Sequence, residues 1–229
     1  MKAIIDMRYL TPILMAICFV GLLPAGAQGQ GPTWGLKGGF NVSTLSVNDP
    51  ANPDLEFDSQ TGFLAGAFMQ CSGGDWFALQ GEVIYSRNGA KVQGEDPAIE
   101  LDLDYVRVPV LVMARLAFKE RTVYPMLYAG PQLAFEARCQ VTSEEGGVSA
   151  SYDCDSEELD DPLETNNVEF GFVFGGGLEF LFDRWIMQLD ARYNLGLTNL
   201  NGGTDASVVS VKNRGWSFSL GLGLSFGRP

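Results

Sequence analysis

Beyond residue 27, apolar side chains recur at every second position in eight segments, the period of half-buried β-strands rather than of helices. The last three are the clearest. In "VEFGFVFGGGLEFLF" (168–182), Val168, Phe170, Phe172, Phe174, Leu178 and Phe180 share one face, while Glu169, Gly171, Gly175, Gly177 and Glu179 share the other. Trp185, Met187, Leu189, Ala191, Tyr193 and Leu195 oppose Gln188, Asp190, Arg192 and Asn194, and Trp216, Phe218, Leu220, Leu222, Leu224 and Phe226 oppose serines and glycines. Earlier segments follow the same rule. Trp34, Leu36, Phe40 and Val42 face away from Lys37 and Asn41; Phe63, Ala65, Ala67 and Met69 oppose a mixed face with Phe68; Phe77, Leu79, Val83 and Tyr85 oppose Gln80, Glu82 and Ser86. The valines 106, 108, 110 and 112 oppose Arg107 and Arg115, and Leu127, Ala129, Leu133 and Phe135 oppose Tyr128, Gln132, Glu136 and Arg138.

Connections alternate in length. "CSGGD" (71–75), "AFKER" (117–121) and "FDR" (182–184) are short turns, whereas 44–60, 88–99, 139–167 and 199–212 are long, polar and rich in Gly, Asn, Asp and Pro. Eight strands long enough to cross a bilayer at a tilt, with short turns at one end and long loops at the other, predict an all-β, eight-stranded antiparallel up-and-down transmembrane barrel. An even strand count puts both termini on the short-turn, periplasmic side. Leu101 and Leu103 break parity with the valines that follow, which predicts a bulge near Tyr105 or a strand rising clear of the bilayer.

A barrel of eight strands holds only side chains inside. The polar faces carry five bases and five acids, Lys37, Arg107, Arg115, Arg138 and Arg192 with Glu82, Glu136, Glu169, Glu179 and Asp190, and their balance suits a paired interior network. The opposite faces carry no charge, as a lipid-facing band requires. These ten groups are expected to fill the lumen. Trp34, Trp76, Trp185 and Trp216, with Tyr124 and Tyr193, lie near strand ends and suggest an interfacial aromatic belt. Ion selection by the lumen charges is the functional alternative to a structural network.

Residues 1–27 read separately. Lys2 and Arg8, the apolar run "ILMAICFVGLL" and the small residues "AGA" form a secretory signal peptide, leaving 28–229 as the barrel domain. Its removal takes Lys2, Arg8 and Asp6 and shifts the net charge from −13 to −14. So acidic a chain is expected to repel nucleic acid and anionic membrane surfaces, which argues against polyanion binding. Three cysteines then remain, of which Cys139 and Cys154 bracket fourteen residues; a disulfide there contributes about 3 kcal/mol in the chain-entropy model and leaves Cys71 free.

Seven stretches, "GLKGGFNVSTL", "TGFLAGAF", "FALQGEVIYSRNGAK", "LDYVRVPVLV", "YAGPQLAF", "FGFVFGGGLEF" and "DARYNLGLTNL", resemble in order and spacing the PorT-like outer-membrane β-barrel family. The fourth, fifth and seventh are the more specific. The resemblance spans essentially the whole mature chain and implies an eight-stranded barrel in the outer membrane of a Gram-negative envelope. It implies a link to secretion through the founding member, and brings no catalytic residues. One departure is that Phe226 is followed by "GRP", where such barrels end on the aromatic residue that the outer-membrane assembly machinery recognises.

Candidate chemistry is sparse. The chain has no histidine, so Ser225 in "GLSFG" lacks the base a nucleophile elbow needs. In "DCDSEELDDPLE" (153–164), Asp153, Asp155, Glu157, Asp161 and Glu164 fall at the ligand positions of a calcium loop, but Glu158 stands where the turn needs glycine and Pro162 intrudes. The expected reading is a non-enzymatic outer-membrane barrel without a cofactor, whose partners are the lipid bilayer, the assembly machinery and an unidentified envelope protein. A small channel, a membrane-embedded enzyme and a soluble periplasmic barrel with an apolar ligand are the rivals.

Overall fold

The computed structural model describes residues 31–48, 57–92, 98–116, 122–145, 148–153, 168–198 and 210–226, which hold nine strands and no helix. Eight form a ring: β1 (Thr33–Asn48), β2 (Phe57–Ser72), β3 (Phe77–Val92), β4 (Ala98–Arg115), β5 (Val123–Glu145), β7 (Val168–Phe182), β8 (Trp185–Gly196) and β9 (Ser210–Ser225). Each pairs antiparallel with the next around the ring, and β1 closes it on β9 from Thr33↔Ser225 to Asn48↔Ser210. The result is a closed eight-stranded up-and-down barrel. A ninth strand, β6 (Val148–Asp153), folds back on β5 outside the ring.

Two hairpins at one end show why their turns are short. Gly74 at φ 116° takes a backbone conformation closed to other residues, and Asp183 at φ 53° lets β7 pass to β8 through two residues. At the other end the strands run on into stretches expected as loops: 44–48, 57–60, 88–92, 98–99, 139–145 and 210–212 are all strand, as is β6 within 139–167. Backbone ladders need N–H and C=O partners, not apolar side chains, so pairing continues where hydrophobic alternation has stopped.

The expected irregularity near Tyr105 is a bulge, carried by the neighbouring strand. β4 keeps its parity, with Leu103, Tyr105, Arg107, Leu111, Met113 and Arg115 all buried. The register with β5 shifts between Asp104↔Arg138 and Tyr105↔Glu136, leaving Ala137 as the extra residue. Above it the inward face of β5 changes parity.

The outward wall is an uncharged band, with Leu36 72% and Leu127 66% exposed among Phe40, Phe63, Phe170, Phe174, Phe218 and Leu222. An exposed apolar surface of that extent on every strand is incompatible with water as its solvent. Trp34, Trp76 and Trp185 ring the short-turn end, and Trp216 stands at the other, edge-on to Tyr193 at 5.3 Å. Tyr124, expected in the belt, is buried inside instead, because it shares parity with the inward residues Met126 and Tyr128.

Candidate functional site

The barrel interior gathers the charged side chains into tiers. In the middle tier, Lys37 of β1 lies 2.8 Å from Glu82 Oε1 and 3.1 Å from Asp190 Oδ2. Arg192 of β8 reaches across the lumen to Glu82 of β3, Nη1 to Oε2 at 2.6 Å, and also binds Asp190 Oδ1 through Nη2 at 3.0 Å and Nε at 3.1 Å. Tyr128 donates to Asp190 Oδ1 at 2.7 Å, Ser219 to Asp190 Oδ2 at 2.9 Å, and Gln80 to Glu82 Oε1 at 2.6 Å. Two acids and two bases thus neutralise one another out of water. Charge-assisted bonds of this kind are about twice as strong as neutral ones.

Towards the short-turn end, Arg115 pairs with Glu179 at 3.0 Å, and the other carboxylate oxygen of Glu179 accepts from Gln70 and Gln188, each at 3.1 Å. Gln188 donates further to Gln70 at 2.7 Å and Gln80 at 3.0 Å, so β2, β3, β7 and β8 meet across the bore. The ring of Phe68 lies between these tiers, 5.6 Å from Lys37 Nζ. A Cβ at Gly35 would stand 2.3 Å from that ring and one at Gly223 3.0 Å from it. Glycine on β1 and β9 is the space that the phenylalanine of β2 occupies.

Near the loop end, Arg107 and Glu169 flank Ala134 in one row of the wall, and Asn88 bridges Asn41 and Asn213. The Tyr105 hydroxyl, Arg107 Nε and Glu169 Oε2 are buried and make no hydrogen bond.

Of the ten charges expected inside, eight are buried there: Lys37, Glu82, Arg107, Arg115, Glu169, Glu179, Asp190 and Arg192. Glu136 is half-buried at the rim opposite Tyr105. Arg138 is exposed on the outer wall, because the extra residue Ala137 reverses the parity of β5 before it; Cys139 points inward in its place. Charge also fills less of the bore than expected. Ala78, Leu111, Met113, Met126, Tyr128 and Val173 form a buried apolar cluster along β3, β4, β5 and β7. Period-two reading misses it because β4 is apolar on both faces.

Cys139 is disulfide-bonded and Cys71 is a free thiol. The expected partner, Cys154, lies outside the described residues, as do the calcium candidates Asp155, Glu157, Asp161 and Glu164 and the signal segment 1–27. Asp153 ends β6 opposite Gln140. No group of three or more His, Cys, Asp or Glu among the described residues could hold a metal. Ser225 closes β9, its N–H bonded to the Arg184 carbonyl at 2.8 Å, which is a strand end and not a strand-to-helix elbow.

The family model for an outer membrane protein beta-barrel domain matches residues 27–202. The chain belongs to that family. Family membership, with the closed barrel and its uncharged outer band, embeds the protein in the outer-membrane bilayer. Its structure is similar to the crystal structure of the outer membrane protein OprG from Pseudomonas aeruginosa, with a TM-score of 0.52 and 11% identity over 87% of this chain and 98% of that one. It is also similar to Neisserial surface protein A, with a TM-score of 0.46 and 15% identity over 86% of this chain and all of the other. No curated protein matches the chain.

Proposed function

We propose that this protein is a non-enzymatic outer-membrane barrel with a closed lumen, whose role in the envelope, as a surface-interaction or secretion-associated component, is carried by its external loops. The observation that carries the reading is the cross-lumen bridge from Arg192 to Glu82, both side chains nearly fully buried, with Lys37 and Asp190 completing a neutral ring. An aqueous path would have to separate these charges. Burial without water makes that costly, since breaking one partner out of a buried pair costs about 3–5 kcal/mol.

The finer assignments belong to the same proposal: export through residues 1–27, assembly by the outer-membrane machinery, kinship with the PorT-like barrels through the seven quoted stretches, and a Cys139–Cys154 disulfide. Calcium at 153–164 is at most a weak loop property, since that stretch lacks the glycine such a loop turns on.

The test is to fractionate envelopes, run the protein on a denaturing gel with and without boiling, and record the purified barrel in planar bilayers. Outer-membrane location, a heat-dependent mobility shift and no reproducible conductance support the proposal. Discrete conductance that disappears on substitution of Glu179 or Arg107 would establish the channel reading instead. Recovery from the aqueous periplasm without a mobility shift would reverse the assignment of the two faces.

A further inference from the structure

The outer wall is not uniform, and one sector of it carries two features that point to the same occupant. Above the loop-end aromatic layer, the outward bases among the described side chains are Arg87, Arg138, Lys212 and Arg214. Arg87 is paired with Asp102 at 3.1 Å, and Arg138 stands opposite Asp104, which holds the Tyr85 hydroxyl at 2.7 Å. Lys212 and Arg214, two residues apart on the outward face of β9, make no ion pair with any described residue, and Arg214 Nε has no hydrogen-bond acceptor. In a chain of net charge −13, two adjacent bases with no ion pair among the described residues stand out.

Directly below them on the same strand comes Trp216, in a row with Val42, Tyr193 and Phe174. Below that row the wall recedes into an apolar groove of about 530 Å3. Its floor is the small residues Gly38, Ala191 and Gly176, and its walls include Phe40, Phe218 and Leu178. Phe40 and Phe218 are stacked at 5.2 Å, which fixes one wall. A Cβ on Gly38 would meet nothing closer than the Leu64 carbonyl at 3.9 Å, so the hollow there is open space and not a packing requirement.

We propose that this sector seats one anionic lipid of the outer leaflet, with its phosphate on Lys212 and Arg214 and an acyl chain lying past Trp216 in the groove. The reading rests on the outer-membrane placement, which sets Lys212 and Arg214 at headgroup height above the aromatic belt. Unpaired bases at that level attract lipid phosphates, and the groove supplies the shape that holds one chain in place of a mobile annulus.

Trp216 is a built-in reporter, because Trp34, Trp76 and Trp185 all lie at the opposite rim and can be replaced by phenylalanine. The single-tryptophan protein is inserted in phosphatidylcholine vesicles carrying equal mole fractions of chain-brominated phosphatidic acid or chain-brominated phosphatidylcholine, and its quenching is compared. The expected result is stronger quenching by the phosphatidic acid, with a local enrichment of about fivefold for each basic residue. Lys212→Gln and Arg214→Gln should each remove about one such factor, and Gly38→Phe, which fills the groove, should weaken quenching by the anionic lipid with the bases intact. Equal quenching by the two lipids, or a preference that survives the double Lys212→Gln, Arg214→Gln change, would overturn the proposal. Absence of quenching by either lipid, together with loss of the heat-dependent gel shift, would instead refute the membrane placement on which it rests.

Discussion

Replacing Arg192 with methionine tests whether the interior is a dry, coupled network. The side chain makes two hydrogen bonds to Glu82, at 2.6 and 3.2 Å, and two to Asp190, at 3.1 and 3.0 Å. Four bonds to charged groups, at roughly 1.5–3 kcal/mol each, would sum to about 6–12 kcal/mol, but the guanidinium's own desolvation opposes most of that. What the substitution leaves behind sets the net effect: Glu82 and Asp190 share Lys37 alone, and one buried negative charge is uncompensated. The expected loss is therefore about 3–5 kcal/mol. Adding Glu82→Gln restores neutrality, with Lys37 facing Asp190, so the double variant should be more stable than the sum of the singles by about 2 kcal/mol. Urea unfolding of the barrel in lipid vesicles, followed by tryptophan fluorescence and by the unboiled gel band, gives all four corners of the cycle. A loss below about 1 kcal/mol for Arg192→Met with no coupling to Glu82 would mean that water screens these charges, and the closed-lumen reading would fail with it.

Four further outcomes follow from particular contacts. Tyr105→Phe should leave stability unchanged or raise it by up to ~1 kcal/mol, since it removes a buried hydroxyl without a partner, whereas Tyr128→Phe should cost about 1.5–3 kcal/mol by stripping a donor from Asp190; the same urea titration compares them. Gly39→Ala should destabilise by more than ~2 kcal/mol, its Cβ falling 2.0 Å from the Phe218 carbonyl, while Gly38→Ala next to it should be nearly neutral. Alkylation under non-reducing conditions followed by peptide mapping should label Cys71 and find Cys139 joined to Cys154. Cys139→Ser should lower stability by about 3 kcal/mol if the loop-closure model applies.

The barrel was legible because lipid on one side and a packed bore on the other impose period two on every crossing strand. β7, β8 and β9 read almost without error, since over most of their bilayer-crossing length polar or small residues such as Glu169, Gly171, Asp190, Arg192, Ser217 and Ser219 alternate with large apolar ones. Legibility failed where one of those two solvents was missing. Above the bilayer β5 continues to Glu145 and β6 returns beside it, stabilised by backbone pairing that leaves no hydrophobic signature. Arg138 was misplaced because a one-residue bulge has no composition of its own, and Ala137 looks like any other strand residue. The Phe68 plug was invisible for a different reason. It depends on Gly35 and Gly223 facing it from strands far apart in the sequence, and such three-body complementarity follows only from the register.

That register also decides where the protein's charge can act. The buried interior holds four bases, Lys37, Arg107, Arg115 and Arg192, and four acids, Glu82, Glu169, Glu179 and Asp190, so it is neutral. The outer band contributes no charge at all. The excess of 28 acids over 15 bases in the chain therefore comes from residues outside this buried set. Much of it is concentrated in a single connection, for residues 144–164 contain nine carboxylates and no base. On the closed-lumen reading proposed above, selectivity towards anything in solution would come from the connections, most of all from the acidic stretch 144–164. Its field falls off within about 10 Å at 0.1 M salt. Any partner it recognises should thus be basic or bridged by divalent cations, and should dissociate as ionic strength rises, whereas the seat proposed at Lys212 and Arg214 selects the opposite sign some distance down the wall.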